Sequence, residues 1–137
     1  MLRVNVVVRI LIVDDSESVR KHLKTFLQTA DATFVVCGEA GDGREAVAKV
    51  DELKPDVIIL DLAMPVMDGV SAAQEISRRG HTGAMFMYTL YRSHQLELEA
   101  EKAGVRRIVS KPAAVELVPL IREVATRPPP RNPPDPK

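Results

Sequence analysis

The sequence has no tryptophan, only 4% aromatic residues and a single cysteine, Cys37, in 137 residues. One cysteine excludes an internal disulfide framework and a four-cysteine zinc site, and it fits a reducing compartment, so a cytoplasmic protein is expected. Cys37 itself reads as a small buried apolar residue. A dominant charge is absent too: Lys plus Arg and Asp plus Glu each number 19, for a formal net charge of +0. No overall field therefore draws the chain to nucleic acid or to an anionic membrane. Long hydrophobic runs are also missing. The stretch MLRVNVVVRILIV is broken by Arg3, Asn5 and Arg9 and falls short of the ~20 residues of a membrane span. Asp14 and Asp15 follow it directly, without the small-residue pattern of a signal-peptide cleavage site. His22, His81 and His94 have no paired spacing, so zinc ligation is not expected and solvated surface roles are.

The length and the 45% hydrophobic content match one domain with a real core. Short apolar runs recur along it: ILIV ending at Val13, FVVC at Cys37, VIIL at Leu60, AMFMY at Tyr88 and VRRIV at Val109. Between and after them lie stretches with helical spacing: Val19, Leu23, Phe26 and Leu27; Ala46, Val47, Val50 and Leu53; Ala72, Ala73 and Ile76; Leu96, Ala100 and Ala103; Leu117, Leu120, Ile121 and Val124. The runs lack apolar/polar alternation, which implies burial on both faces. Repeated strand-then-helix order implies a parallel sheet covered by helices on both sides, an α/β doubly wound architecture. Ser16 and Ser93 are expected N-caps, Asp42 and Glu45 have capping-box spacing, and Gly80 and Gly104 stand where helix C-caps are expected. Pro119 is tolerated if the last helix begins near Val115 or Glu116, because the first turn has no intrahelical N–H partners to lose. Residues 1–8 are expected to be an N-terminal extension and 9–126 the folded domain. Residues 127–137 hold six prolines and are expected to form a disordered tail or linker.

In a parallel α/β sheet the ligand crevice lies beyond the carboxyl ends of the strands. The residues just past the apolar runs are polar: Asp14 and Asp15, then Asp61, Thr89, and Ser110 with Lys111. Carboxylates brought to one rim repel each other unless a cation or Lys111 balances them. Oxygen-only ligands suit a hard cation such as magnesium. A carboxylate, a hydroxyl, a lysine and a magnesium ion together suit a phosphoryl group, whose oxygens they can neutralise.

The strand ending in DDSES, the segment VIILDLAMPVMDG, Thr89 and the SKP at Ser110–Pro112 resemble the receiver domain of two-component response regulators, in that family's order and separations from about Arg9 to Thr126. The segment CGEAGDGREAV is similar to receivers joined to helix-turn-helix DNA-binding domains. The resemblance implies a flavodoxin-like five-stranded sheet in the order 2-1-3-4-5. It implies Asp61 as phosphoacceptor, Asp15 and Asp61 as direct Mg2+ ligands, Asp14 as a ligand through water, and the backbone carbonyl of Ala63 as a further ligand. Thr89 would hydrogen-bond the phosphoryl group, Lys111 would pair with it, and Lys111–Pro112 would be cis. A histidine kinase or phosphotransfer domain would donate the phosphoryl group. The fourth helix, fifth strand and fifth helix would meet an output partner or form a homodimer, with Arg92, Arg106 and Arg107 giving a basic edge. Two positions depart from the family: Ile108 replaces its usual aromatic residue, and Leu90 its usual small one, which narrows access to the site.

Other readings match the sequence less well. Gly41, Gly43 and Ala46 match a dinucleotide-binding turn, although Asp42 and Glu45 put negative charge where a pyrophosphate must approach. Gly38 and Gly43 have P-loop spacing, but Arg44 and Glu45 replace its Lys and Ser/Thr. A phosphatase that forms an aspartyl-phosphate would place a general acid two positions past Asp61, where Ala63 stands. A receiver fold used only for binding would share the architecture, so fold cannot separate these readings and the site must.

Overall fold

The computed structural model describes residues 7–126, as β1(Val8–Val13), α1(Glu17–Ala30), β2(Phe34–Ala40), α2(Gly43–Leu53), β3(Val57–Leu60), α3(Gly69–Arg78), β4(Ala84–Thr89), α4(His94–Lys102), β5(Val105–Ser110), a 3-10 turn (Ala114–Glu116) and α5(Leu117–Thr126). The expected tail at residues 127–137 lies outside the described residues, as does all but the end of the expected N-terminal extension; β1 begins at Val8, inside that extension. Every strand pairing is parallel and the order is β2-β1-β3-β4-β5. Among the described residues, no helix is long and apolar enough to cross a membrane.

Period-two side chains divide the core between the two faces of the sheet. Leu11, Val13, Ile58, Leu60, Met85 and Met87 pack with residues of α2, α3 and α4 on one face. Ile10, Ile12, Val57, Ile59, Phe86 and Tyr88 pack with Leu23 and Leu27 of α1 and Leu117 and Ile121 of α5 on the other. The expected burial on both faces holds for β3 and β4, which are buried throughout, and nearly so for β1. The edge strands β2 and β5 instead carry half-buried and exposed residues.

Cys37 is half-buried, which corrects the expected full burial. The β1–β2 register passes from Ile10↔Val36 to Leu11↔Gly38, so Cys37 is the extra residue of a bulge on an edge strand that continues to Ala40. Burial pushes its thiol pKa up. A second register shift, from Met85↔Val105 to Phe86↔Arg107, makes Arg106 the extra residue of β5.

The helix punctuation follows the sequence. The side chains of Ser16, Asp42 and Ser93 accept hydrogen bonds from the N–H groups of Val19, Glu45 and Leu96. Gly80 (φ 81°) and Gly104 (φ 97°) turn the chain after α3 and α4 in the left-handed region that glycine tolerates. Pro119 lies in the first turn of α5, where its missing N–H breaks no intrahelical bond. Two helix ends were not singled out in the sequence: Asp68 caps the start of α3 through the N–H of Ser71, and Lys54, at φ 48°, ends α2.

Candidate functional site

Parallel strands place all their carboxyl ends on one rim, and polar residues at or just past the ends of β1, β3, β4 and β5 meet there. One carboxylate oxygen from each of Asp14, Asp15 and Asp61 can be chosen so that all lie within 4.8 Å of one another. Asp14 is 3% exposed, Asp61 7% and Thr89 0%, whereas Asp15 is exposed. The Lys111 ammonium donates to Asp14 Oδ2 at 2.6 Å and to Asp61 Oδ2 at 3.3 Å. It also lies 5.8 Å from the centroid of the Tyr88 ring.

Local backbone bonds hold these groups in place. The Asp61 N–H donates to the Val13 carbonyl at 2.9 Å, joining β3 to β1 beneath the carboxylates, and the Lys111 N–H donates to the Thr89 carbonyl at 2.9 Å. Asp61 Oδ1 accepts from the Leu62 N–H at 2.8 Å, and the fully buried Thr89 ends β4 on the same rim. The Thr89 hydroxyl oxygen accepts from the Tyr91 N–H at 3.1 Å. The Lys111–Pro112 bond is cis, as the resemblance implied.

Each oxygen of Asp14 accepts a hydrogen bond. Oδ1 accepts from the Ser16 N–H at 2.9 Å, Oδ2 from Lys111, and its backbone carbonyl from Arg20 Nη1 at 2.7 Å. Burial raises the Asp61 carboxyl above the ordinary carboxylate range; the Asp14 charge adds to the rise and Lys111 opposes it. Burial alone would lower Lys111, but the hydrogen bond to Asp14 and the charges of Asp61 and Asp14 prevail and raise it.

The remaining residues singled out in sequence fall around this rim. Ala63 stands in the exposed loop after Asp61, and Leu90 is 70% exposed. Ile108 is partly buried against the α2–α4 side of the core. Ser110 does not join the carboxylates: its hydroxyl accepts from Arg92 Nη1 at 3.2 Å, while Arg92 Nη2 reaches Glu97 Oε1 at 2.6 Å. Arg106 and Arg107 are exposed on β5. His22 and His94 lie exposed on α1 and α4. His81 is not simply solvated, since the turn at Gly80 returns it to α2, with Nε2 2.5 Å from Asp51 Oδ1.

The dinucleotide-binding reading fails on geometry. The Gly43 N–H at the start of α2 donates to the Met67 carbonyl at 3.0 Å, and a Cβ at Gly43 would lie 2.3 Å from that oxygen. The loop after β3 thus fills the space a pyrophosphate would need at this helix end. Sequence reasoning also missed Gly69, where a Cβ would lie 2.2 Å from the Asp61 carbonyl oxygen, so α3 starts directly against the backbone of Asp61. The Asp-Gly pair at Asp68–Gly69 was the available signal. Arg20 left none, because its partners are set by the packing of α1 on the sheet.

Comparison with known proteins agrees with this geometry. The family model described as the response regulator receiver domain matches residues 10–122. The chain is 38% identical over 104 residues to the chemotaxis protein CheY of Thermotoga maritima, covering 76% of this chain and 85% of that protein. It is 42% identical over 105 residues to the protein-glutamate methylesterase/protein-glutamine glutaminase of Alkalilimnicola ehrlichii, covering 76% of this chain but only 27% of that longer protein. Among solved structures, the response regulator domain of Thermotoga maritima CheB superposes with a TM-score of 0.80 at 32% identity, over 89% of this chain and 99% of that one. With a parallel sheet in the order that the resemblance implied and an acidic rim closed by a lysine, the chain belongs to the response regulator receiver domain family.

Proposed function

We propose that Asp61 is the phosphoacceptor of this receiver domain and that it takes its phosphoryl group from a phosphohistidine on a histidine kinase or phosphotransfer domain. The observation that carries this reading is the buried Asp61 carboxylate bonded to Lys111, with two more aspartates beside it. In the transfer, the histidine N–P bond breaks as a bond forms from phosphorus to an Asp61 carboxylate oxygen. The leaving histidine nitrogen keeps the electron pair of the broken bond. Lys111 and the Thr89 hydroxyl would meet the negative charge that arrives.

The donor set fits Mg2+, being three carboxylates with no nitrogen or sulfur ligand among them. Asp15 and Asp61 would bind directly, with the Ala63 carbonyl. Asp14, whose two carboxylate oxygens already accept bonds from Ser16 and Lys111, suits a role through water. Bound Mg2+ would offset charge on the phosphoryl oxygens. The modified domain would signal through α4, β5 and α5, the surface for an output partner or a second copy, with cytoplasmic chemistry throughout.

The test is intact-mass spectrometry after incubation with a small phosphodonor, with and without Mg2+. The expected result is the gain of one phosphoryl group that requires Mg2+ and disappears in Asp61→Asn. Labelling of Asp61→Asn at the wild-type rate overturns the assignment, and turnover of a phosphomonoester would favour a phosphatase instead.

A further inference from the structure

The Arg20 guanidinium joins three elements that surround the acidic rim. From the first turn of α1, Nη1 donates to the Asp14 carbonyl at 2.7 Å and Nε donates to Glu39 Oε1 at 2.9 Å, near the end of β2. Its side chain is only 18% exposed. The Asp14 carbonyl belongs to the peptide group that links Asp14 to Asp15. That group is planar, so holding its oxygen restricts the plane from which the Asp14 and Asp15 Cα atoms, and the side chains they carry, depart. On the other side of Asp14, its N–H donates to the Ala40 carbonyl at 3.0 Å. Asp15 is the exposed carboxylate of the three, and this peptide is its link to the buried rim.

We infer that Arg20, anchored by Glu39, is a positioning residue for the divalent-cation site, acting by locking the Asp14–Asp15 peptide. This rests on the reading of the aspartate cluster as a Mg2+ site. Geometry and charge make opposite demands here, which makes the inference testable. A positive charge beside three carboxylates opposes a cation, so Arg20 acting by charge alone would weaken Mg2+ binding. Acting through the peptide, it strengthens binding. A planar fork donates in two fixed directions, whereas an ammonium on a flexible stem does not reproduce them.

Mg2+ affinity of the full chain is to be measured by calorimetry, alongside the Mg2+ dependence of phosphorylation by a small phosphodonor. Circular dichroism reports whether each variant is folded. Arg20→Lys keeps the charge and is expected to weaken Mg2+ binding at least about tenfold, the usual cost of losing a partner that orients a metal ligand. Arg20→Gln removes the opposing charge and is still expected to bind more weakly than wild type. Glu39→Ala is expected to weaken binding too, and Arg20→Lys combined with Glu39→Ala by less than the product of the single effects, because the two residues act as one strap. At saturating Mg2+ the Arg20→Lys phosphorylation rate is expected to return to within about twofold of wild type, since a peptide that only orients metal ligands shifts half-saturation rather than the maximum. Arg20→Lys binding as wild type, or Arg20→Gln binding more tightly, overturns the inference while leaving the site intact. Absence of Mg2+ binding by the wild-type chain overturns the site reading and this inference with it. Should Arg20→Gln fail to fold, Arg20→Lys, which keeps the charge, decides the matter.

Discussion

The Lys111 ammonium sits nearer to Asp14, at 2.6 Å, than to Asp61, at 3.3 Å. Both carboxylates are buried, so without the lysine two like charges face each other in a poorly solvated pocket. Lys111→Met is expected to lower stability by about 3 kcal/mol in metal-free buffer, the low end for breaking a buried ion pair, because Asp61 can escape by taking a proton. Mg2+ should restore part of the loss and bind more tightly than to wild type. Urea denaturation with and without Mg2+ checks both, and unchanged metal-free stability would refute the pairing.

Asp61 gives a pH signature of defined sign. Its folded pKa is raised, chiefly by burial, so the ionised form costs stability once the pH exceeds the unfolded value of ~4. The stability it contributes is present below that value and lost as pH rises through the folded pKa. Asp61→Asn should therefore melt above wild type at neutral pH without Mg2+, with the difference vanishing in acid. Asp15→Ala should likewise hold or raise metal-free stability while weakening Mg2+ binding and slowing phosphorylation. Thermal melts across the pH range are the measurement.

Val66 adopts φ 67° in the loop after Asp61 and is 74% exposed. A β-branched side chain is strained in the left-handed region, which asparagine enters at little cost. With no core contact to lose, Val66→Asn is expected to raise stability by about 1 kcal/mol. A lower urea midpoint would show that the Val66 side chain contributes packing that outweighs the strain.

Asp31, the C-cap of α1, gives the opposite pH dependence. Hydrogen bonds from the Thr33 hydroxyl and N–H, aided by Arg122 of α5, lower its carboxyl to about 2. A depressed folded pKa contributes stability above the unfolded value of ~4, lost as pH falls through the folded one. The advantage of wild type over Asp31→Asn should be constant near neutrality and shrink between about pH 4 and pH 2. A constant difference down to the lower limit would mean the ionised carboxylate contributes nothing.

The aspartates, Thr89 and Lys111 were legible because each falls within two residues of the end of an apolar run, and repeated strand-helix order makes all the strands parallel. Their convergence then follows from topology, with no knowledge of side-chain packing. The same reasoning stopped β2 at Cys37, because a hydrophobic run shows where a strand is buried and not where backbone pairing ends. Cys37 lies in a bulge on an edge strand, and pairing continues through Gly38, Glu39 and Ala40.

The sequence by itself determined the order of elements, the sheet they form and which residues reach its rim, since apolar periodicity and capping chemistry are local properties of the chain. Only the tertiary structure decided that Asp14 is buried and bonded at both carboxylate oxygens while Asp15 is exposed, that Ser110 turns to Arg92, and that Arg20 reaches the Asp14 carbonyl and Glu39 together. These depend on ångström-scale distances between segments remote in sequence. Such distances are set by how the helices pack on the sheet, and no local pattern encodes them.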